Sequence, residues 1–251
     1  MEHTLDIKRL EELALRASRT GQPQFTRFMD PGALDLARQA AGRQRVGVRF
    51  YGGYPDAERV MAAFYDGEPP EDWEYPLRVL RISWNPKFAS PAHRDLLGAV
   101  VGLGIEREAT GDIVMATWRD RPCAALFSTD ELADYIAANL DSAGRAAVKV
   151  EPAEEVPELQ PPEGRELRVT VQQPRLDAVL AAGYDLSRAQ AQKLVAAGLV
   201  KLNHVPNLHT DAQVSVSDLI SARGYGRLKV LDAPGQSRRG REVLLLFRYG
   251  K

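Results

Sequence analysis

The sequence predicts an α+β protein of three small domains. These are an N-terminal α/β unit over residues 1–76, a βαββαβ domain over 77–150, and a C-terminal unit of two short helices with a small β-sheet over 165–251. Three observations predict this division. The stretch EPAEEVPELQPPEG, 151–164, holds four prolines and five glutamates with no basic residue. Proline fixes φ and removes a donor, and like charges repel, so it reads as an extended acidic linker. The charge also changes sign there. From Arg165 onward there are 14 Lys/Arg against 7 Asp/Glu, whereas 19 against 27 precede it, although the whole chain carries only −1. Finally, the hydrophobic period switches repeatedly between 2 and 3.6, the mark of alternating strands and helices.

In the first domain, Leu5, Leu10, Leu13 and Leu15 support a helix, and DPGALDLARQA supports a second, with Asp30 as cap and Pro31 in its first turn. RVGVRFYGGYP reads as a strand ending in a glycine turn, and ERVMAAFYDG as another. In the second domain, LRVLRISW is a strand. SPAHRDLLGAVVGLG is a helix opened by Ser90 with Pro91 at its first position. GDIVMATW and PCAALFS are strands joined by the turn RDRP, STDELADYIAANL is a helix capped by Ser128 or Thr129, and AAVKVEP is the last strand. This order is the ferredoxin-like, RRM-like arrangement, which by itself leaves function open. The aromatic-bearing motif with which one such class stacks bases is not evident, so base stacking is not expected of this domain.

In the C-terminal unit, LRVTV is a strand, and Pro174 starts a short helix with Leu176, Val179 and Leu180 on one face. AGYD breaks it. Ser187 then caps a second helix, with Gln190 three residues on completing a capping box. Ala191, Leu194 and Val195 form its buried stripe, and Gly198 ends it in a left-handed turn. LVKLN alternates, with Lys201 and Asn203 on one face. QVSVSDLISARG, RLKVL and VLLLFRY complete the sheet, with QSRRGR (Arg238, Arg239, Arg241) as a flexible loop. LSRAQAQKLVAAGLVKLN carries long or polar donors and no acid. Arg188 lies roughly 60–70° from the centre of the buried stripe and Lys193 well round the other side. They bracket a groove if the preceding helix, beginning at Arg175, supplies its other wall.

RLDAVL at 175–180, LSRAQAQKLVAAGLVKLN and VSVSDLIS resemble the RNA-binding domain shared with small-subunit ribosomal protein four. That resemblance implies a concave basic face toward structured RNA and implicates Arg175, Ser187, Arg188, Gln190, Lys193, Lys201 and Asn203. Ser217 and His204 stand where that family has glycine, so both bear on turn geometry. Gln190, Gln192 and Asn203 offer amides to sugar hydroxyls or base edges. Arg223, Arg227 and Lys229 add charge around two glycines. With FYGGYPDAER near the N-terminus, HRDLLGAVVGLGIEREATGDI in the middle and SARGYGR, nearly the whole chain resembles the YlmH family. This implies a non-enzymatic protein that binds structured RNA, ribosomal RNA of the large subunit with tRNA nearby, in handling stalled subunits.

Composition narrows the alternatives. A hydrophobic fraction of 44% and a charged fraction of 27% fit a globular protein. The single cysteine, Cys123, excludes a disulfide framework and any multi-cysteine metal site. The charged N-terminus lacks a signal peptide's apolar core, and no apolar run approaches the roughly 18 residues of a membrane span, so a cytoplasmic protein is expected, with a monomer as the default. No cofactor or metal is expected either: the four histidines have no ligand-spaced partner, and GLGIEREATGD closes a helix rather than opening a cofactor loop. His93-Arg94-Asp95 reads as a charged first turn of a helix. The competing functions are a protein-interaction adaptor tethered by the basic unit and, further off, an RNA-modifying enzyme.

Overall fold

The computed structural model describes residues 2–55 and 57–250, with side chains from residue 7 onward. Contacts divide the chain into two units, residues 1–160 and 161–251. The fold class is α+β.

The first unit opens with α1 (Glu2–Thr20), β1 (Gln24–Phe25), α2 (Leu34–Gln44), β2 (Gly47–Tyr51) and β3 (Met61–Tyr65). Apolar residues at helical spacing, mostly alanine, are buried: Leu10, Ala14 and Ala17 on α1 and Ala37, Ala40 and Ala41 on α2. They let both helices close on one face of a three-stranded sheet of order β1-β3-β2. Asp30 does not cap with its side chain; it accepts from Arg59 instead.

The expected βαββαβ order follows, as β4 (Leu77–Trp84), α3 (His93–Gly102), β5 (Thr110–Trp118), β6 (Arg121–Thr129), α4 (Asp130–Asn139), β7 (Ser142–Ala143), β8 (Ala146–Pro152) and β9 (Glu158–Leu159). The sheet runs β7-β8-β4-β6-β5-β9, with every pairing antiparallel. Helix α3 begins later than Ser90: Ala92 is its N-cap residue and the Asp95 carboxylate accepts the Ala92 N–H at 2.9 Å. Thr129 precedes α4 without a side-chain cap. The acidic run 151–164 is extended, as its prolines require, but it is not free of structure. Glu151 and Pro152 pair with Arg81 and Leu80 of β4, and Glu158 and Leu159 pair with Thr117 and Ala116 of β5.

Both faces of this sheet are covered over its central part. Leu80, Ile82, Ala124 and Leu126 pack under α3 and α4 with Leu96 and Ile136. On the opposite face, Ala125 and Phe127 pack with Phe28, Met61, Ala63 and Tyr75 of the N-terminal layer. Gly53 and Tyr54 of the FYGGYPDAER segment add to that contact. Gly53 has φ +98°, and a Cβ there would stand 2.2 Å from the Phe127 ring. Its absence lets Tyr54 stack on Phe127, with ring centroids 5.1 Å apart and planes at 28°. Asp112 ties the loop down, accepting from the Tyr54 hydroxyl at 2.8 Å and the Glu58 N–H at 2.7 Å. Burial raises its carboxyl above the ordinary range against the opposing pull of those bonds. Arg59 donates to the carbonyls of Thr110 at 2.9 Å and Arg107 at 3.0 Å, and to Asp30.

The second unit contains β10 (Gly164–Val171), α5 (Leu176–Tyr184), α6 (Arg188–Ala196), β11 (Val200–Leu202), β12 (Val205–Pro206), β13 (Leu219–Ala222), β14 (Gly226–Gln236) and β15 (Glu242–Tyr249). The sheet order is β10-β15-β14-β13-β11-β12. Helix α5 differs from its sequence reading in two ways. It runs on to Tyr184, with Asp185 closing it at φ 57°. It is also buried nearly all round rather than along one face. The strand expected across QVSVSDLISARG shrinks to Leu219–Ala222 because Ser217 turns the chain at φ 75°. QSRRGR forms a closed turn, with the Ser237 N–H donating to the Arg241 carbonyl at 2.7 Å.

Candidate nucleic-acid interface

The site is built around one buried acid. Asp177, in the first turn of α5, is 0% exposed. Its Oδ2 accepts from Arg188 Nη2 at 2.7 Å and from Gln192 Nε2 at 2.9 Å, and Arg175 Nε lies 3.8 Å from Oδ1. Arg188 and Gln192 meet one carboxylate because they are four apart on α6, one turn above the other. Burial alone would raise the Asp177 carboxyl. The bonds from Gln192 and Arg188, with the charges of Arg188 and Arg175, outweigh it and hold the group below its usual range. The Arg188 side chain stays half exposed. A guanidinium has five N–H donors, so holding one leaves others for a planar oxyanion.

The capping box is present. The Gln190 N–H donates to Ser187 Oγ at 3.2 Å and Gln190 Oε1 accepts the Ser187 N–H at 2.9 Å. These two residues therefore fix the start of α6 and with it the height of Arg188. Lys193 is exposed on α6 and about 100° from Gln192.

The remaining expected residues lie elsewhere. Val200, Leu202, Leu228 and Val230 point into the core beneath the helices. Alternation then places Lys201, Arg227 and Lys229 on the sheet face turned away from them. Lys201 and Arg227 share a row there through Ser221, and Arg227 lies 4.7 Å over the Tyr249 ring. The expected donors thus occupy two faces of the unit, not one hollow. Asn203 is engaged internally: its amide donates to Asp218 Oδ1 at 2.8 Å and accepts the Leu219 N–H at 2.9 Å. Arg223 is exposed in the β13–β14 turn, and its N–H donates to the Leu199 carbonyl at 2.9 Å. The glycines flanking Tyr225 serve that turn through φ values of 85° and 98°.

Asp177 is the residue of this cluster that the sequence did not single out. Its signal was available: α6 starts with an arginine and has no acid of its own, so its counterion had to come from another element. His93, by contrast, bonds through Nε2 to the Ile113 carbonyl at 2.9 Å and joins α3 to β5. Among the described residues, no helix is long and apolar enough to cross a membrane.

Two family models match the chain. Residues 70–156 match one described as "Putative RNA-binding domain in YlmH", and residues 174–220 match the S4 domain. The chain is 34% identical over 240 residues to the ribosome-associated protein quality control protein P2 of Bacillus subtilis (strain 168), covering 93% of this chain and 92% of that one. It is also similar to the solved structure of the cell division protein ylmH from Streptococcus pneumoniae. There the TM-score is 0.48 at 23% identity, over 61% of this chain and 92% of that one. A curated relative matched at this identity over nearly the full length of both chains, together with both family models, places this protein in the YlmH family.

Proposed function

We propose that this chain is a non-enzymatic RNA-binding protein that grips structured RNA through its second unit. Its target is ribosomal RNA of the large subunit, with tRNA nearby, during quality control of stalled subunits. The observation that carries the reading is the Asp177 cluster. A buried carboxylate is spent on orienting two cations and an amide, while Arg188 keeps half its surface in solvent. A fixed guanidinium loses less freedom when it binds a phosphate, which is why such anchoring suits recognition of RNA shape. The ribosomal setting is supported by kinship with a protein named for ribosome-associated quality control.

The test is ribosome co-sedimentation of the full chain carrying Arg188→Gln and Lys193→Glu, joined with crosslinking and sequencing of bound RNA. Arg188→Gln keeps an amide donor on the side of α6 that meets Asp177, and far-UV circular dichroism checks that the variant is folded. The bound fraction is expected to fall at least ten-fold, and crosslinks of the unaltered protein to concentrate on one helix of large-subunit RNA. Undiminished co-sedimentation, or crosslinks scattered over unrelated messages, would defeat the proposal.

A further inference from the structure

The N-terminal layer leaves one end of the ferredoxin-like sheet uncovered, at the β5–β6 hairpin. Here the face that packs against Phe28 and Met61 farther along carries Trp118, partly exposed, with Arg121 directly opposite it across the hairpin. Arg81 reaches over from β4 to lie 5.1 Å from the Trp118 ring centre, and Arg119 lies 5.6 Å from it. Lys149 extends the row on β8 beside Ser83. Glu151 is held between two of these cations, 2.6 Å from Lys149 Nζ and 3.2 Å from Arg81 Nη2. Two guanidiniums thus lie over one indole, with Arg121 opposite it across the hairpin and Lys149 three strands away on the same face, and with Glu151 and the turn residue Asp120 as the acids nearby. This occurs in the half of the chain where acids outnumber bases 27 to 19, so the general charge of that half does not account for it.

We infer that this hairpin end is a second RNA-contact surface, taking a short single-stranded segment with one base on Trp118 and its flanking phosphates on Arg119, Arg121 and Lys149. The ring belongs to a part of the platform that the N-terminal layer spares, whereas Tyr54 occupies the place over Phe127. An unpaired base offers the flat face that a duplex hides, and base–aromatic stacking tolerates any sequence. Arg119, exposed and at a left-handed turn with φ 49°, can swing from the ring to a phosphate, whereas Arg81, paired with Glu151, stays. The surface lies wholly in the first unit and does not depend on the Asp177 cluster.

The test uses the full chain, an unstructured octa-uridylate and an RNA hairpin, at low salt. Trp73 is replaced by phenylalanine so that indole emission reports on Trp84 and Trp118. Octa-uridylate is expected to quench that emission saturably, and Trp118→Phe to abolish the quenching while keeping most of the affinity. Trp118→Ala should weaken octa-uridylate at least five-fold, in line with one lost stack, and Arg119→Glu with Arg121→Glu at least ten-fold. Hairpin binding by these variants should change less than two-fold, whereas Arg188→Gln with Lys193→Glu should do the reverse. Absence of quenching, unchanged octa-uridylate affinity in both the Trp118→Ala and the double-Arg variants, or equal loss of both ligands in every variant would each overturn the inference.

Discussion

Asp177 sets the behaviour of the second unit because its side chain is fully buried and carries charge. Its folded carboxyl lies below its unfolded value, so its stabilising contribution is complete above about pH 4, the ordinary carboxylate range, and is lost as pH falls through the depressed folded value. Acid unfolding of the full chain followed by far-UV circular dichroism should therefore show a step below about pH 4 that Asp177→Asn flattens. Asp177→Ala should cost on the order of 2 kcal/mol at pH 7, since it leaves Arg188 and Gln192 without an acceptor but both near solvent. Ser217 and His204 carry backbone strain. Sequence comparison with glycine-bearing turns marked both, and both do adopt left-handed backbone, at φ 75° and 68°. A residue with a Cβ is strained there, so Ser217→Gly should raise stability by up to about 1 kcal/mol in urea unfolding. No gain would mean that the Ser215–Asp218 turn, closed by the Ser215 N–H on Asp218 at 2.8 Å, already offsets the strain.

Strands and helices were legible wherever one face alone is covered. The alternation of Lys201 with Val200 and Leu202, the capping box at Ser187 and the stop at Gly198 all follow from local chemistry. Elements buried on both sides were read less fully. Residues 61–64 and 123–129 are consecutively buried, and an unbroken apolar run is what a strand enclosed on two faces looks like. MAAF and CAALF carried that message, but periodicity does not say which element provides the second cover. Long-range pairings such as Tyr54 on Phe127 leave no local trace. Gly53 is the sensitive point: Gly53→Ala places a methyl group inside the Phe127 ring volume and demands φ +98° of alanine. A loss of about 3 kcal/mol is expected in chemical denaturation, from overpacking and backbone strain together. Unaltered stability would mean that the loop can lift from the sheet at little cost.

Across the molecule, the charge division was readable by counting, and it pointed to the second unit as the polyanion-binding end. What counting could not give was the sorting of those charges. Fourteen cations from Arg165 onward include some on the helical face, some on the sheet's far face, and one, Arg248, lying 5.1 Å over the Tyr184 ring. Affinity for structured RNA should fall steeply with salt, and its log–log slope should drop by about one on Arg188→Gln, as expected when one phosphate contact is removed. A slope unaffected by that change would move the grip to Lys201, Arg227 and Lys229.

The ring of Tyr54 resting on Phe127 also decides where the polypeptide may be cut. A segment trimmed to residues 77–150 would lose the cover supplied by Phe28, Met61 and Tyr75, baring Val79, Ala125 and Phe127 to water. It would also forfeit the edge strand at Glu158–Leu159. Such a piece should clump, and any gene rearrangement that transplanted this module would have to take the preceding three-stranded sheet and its flanking loops along.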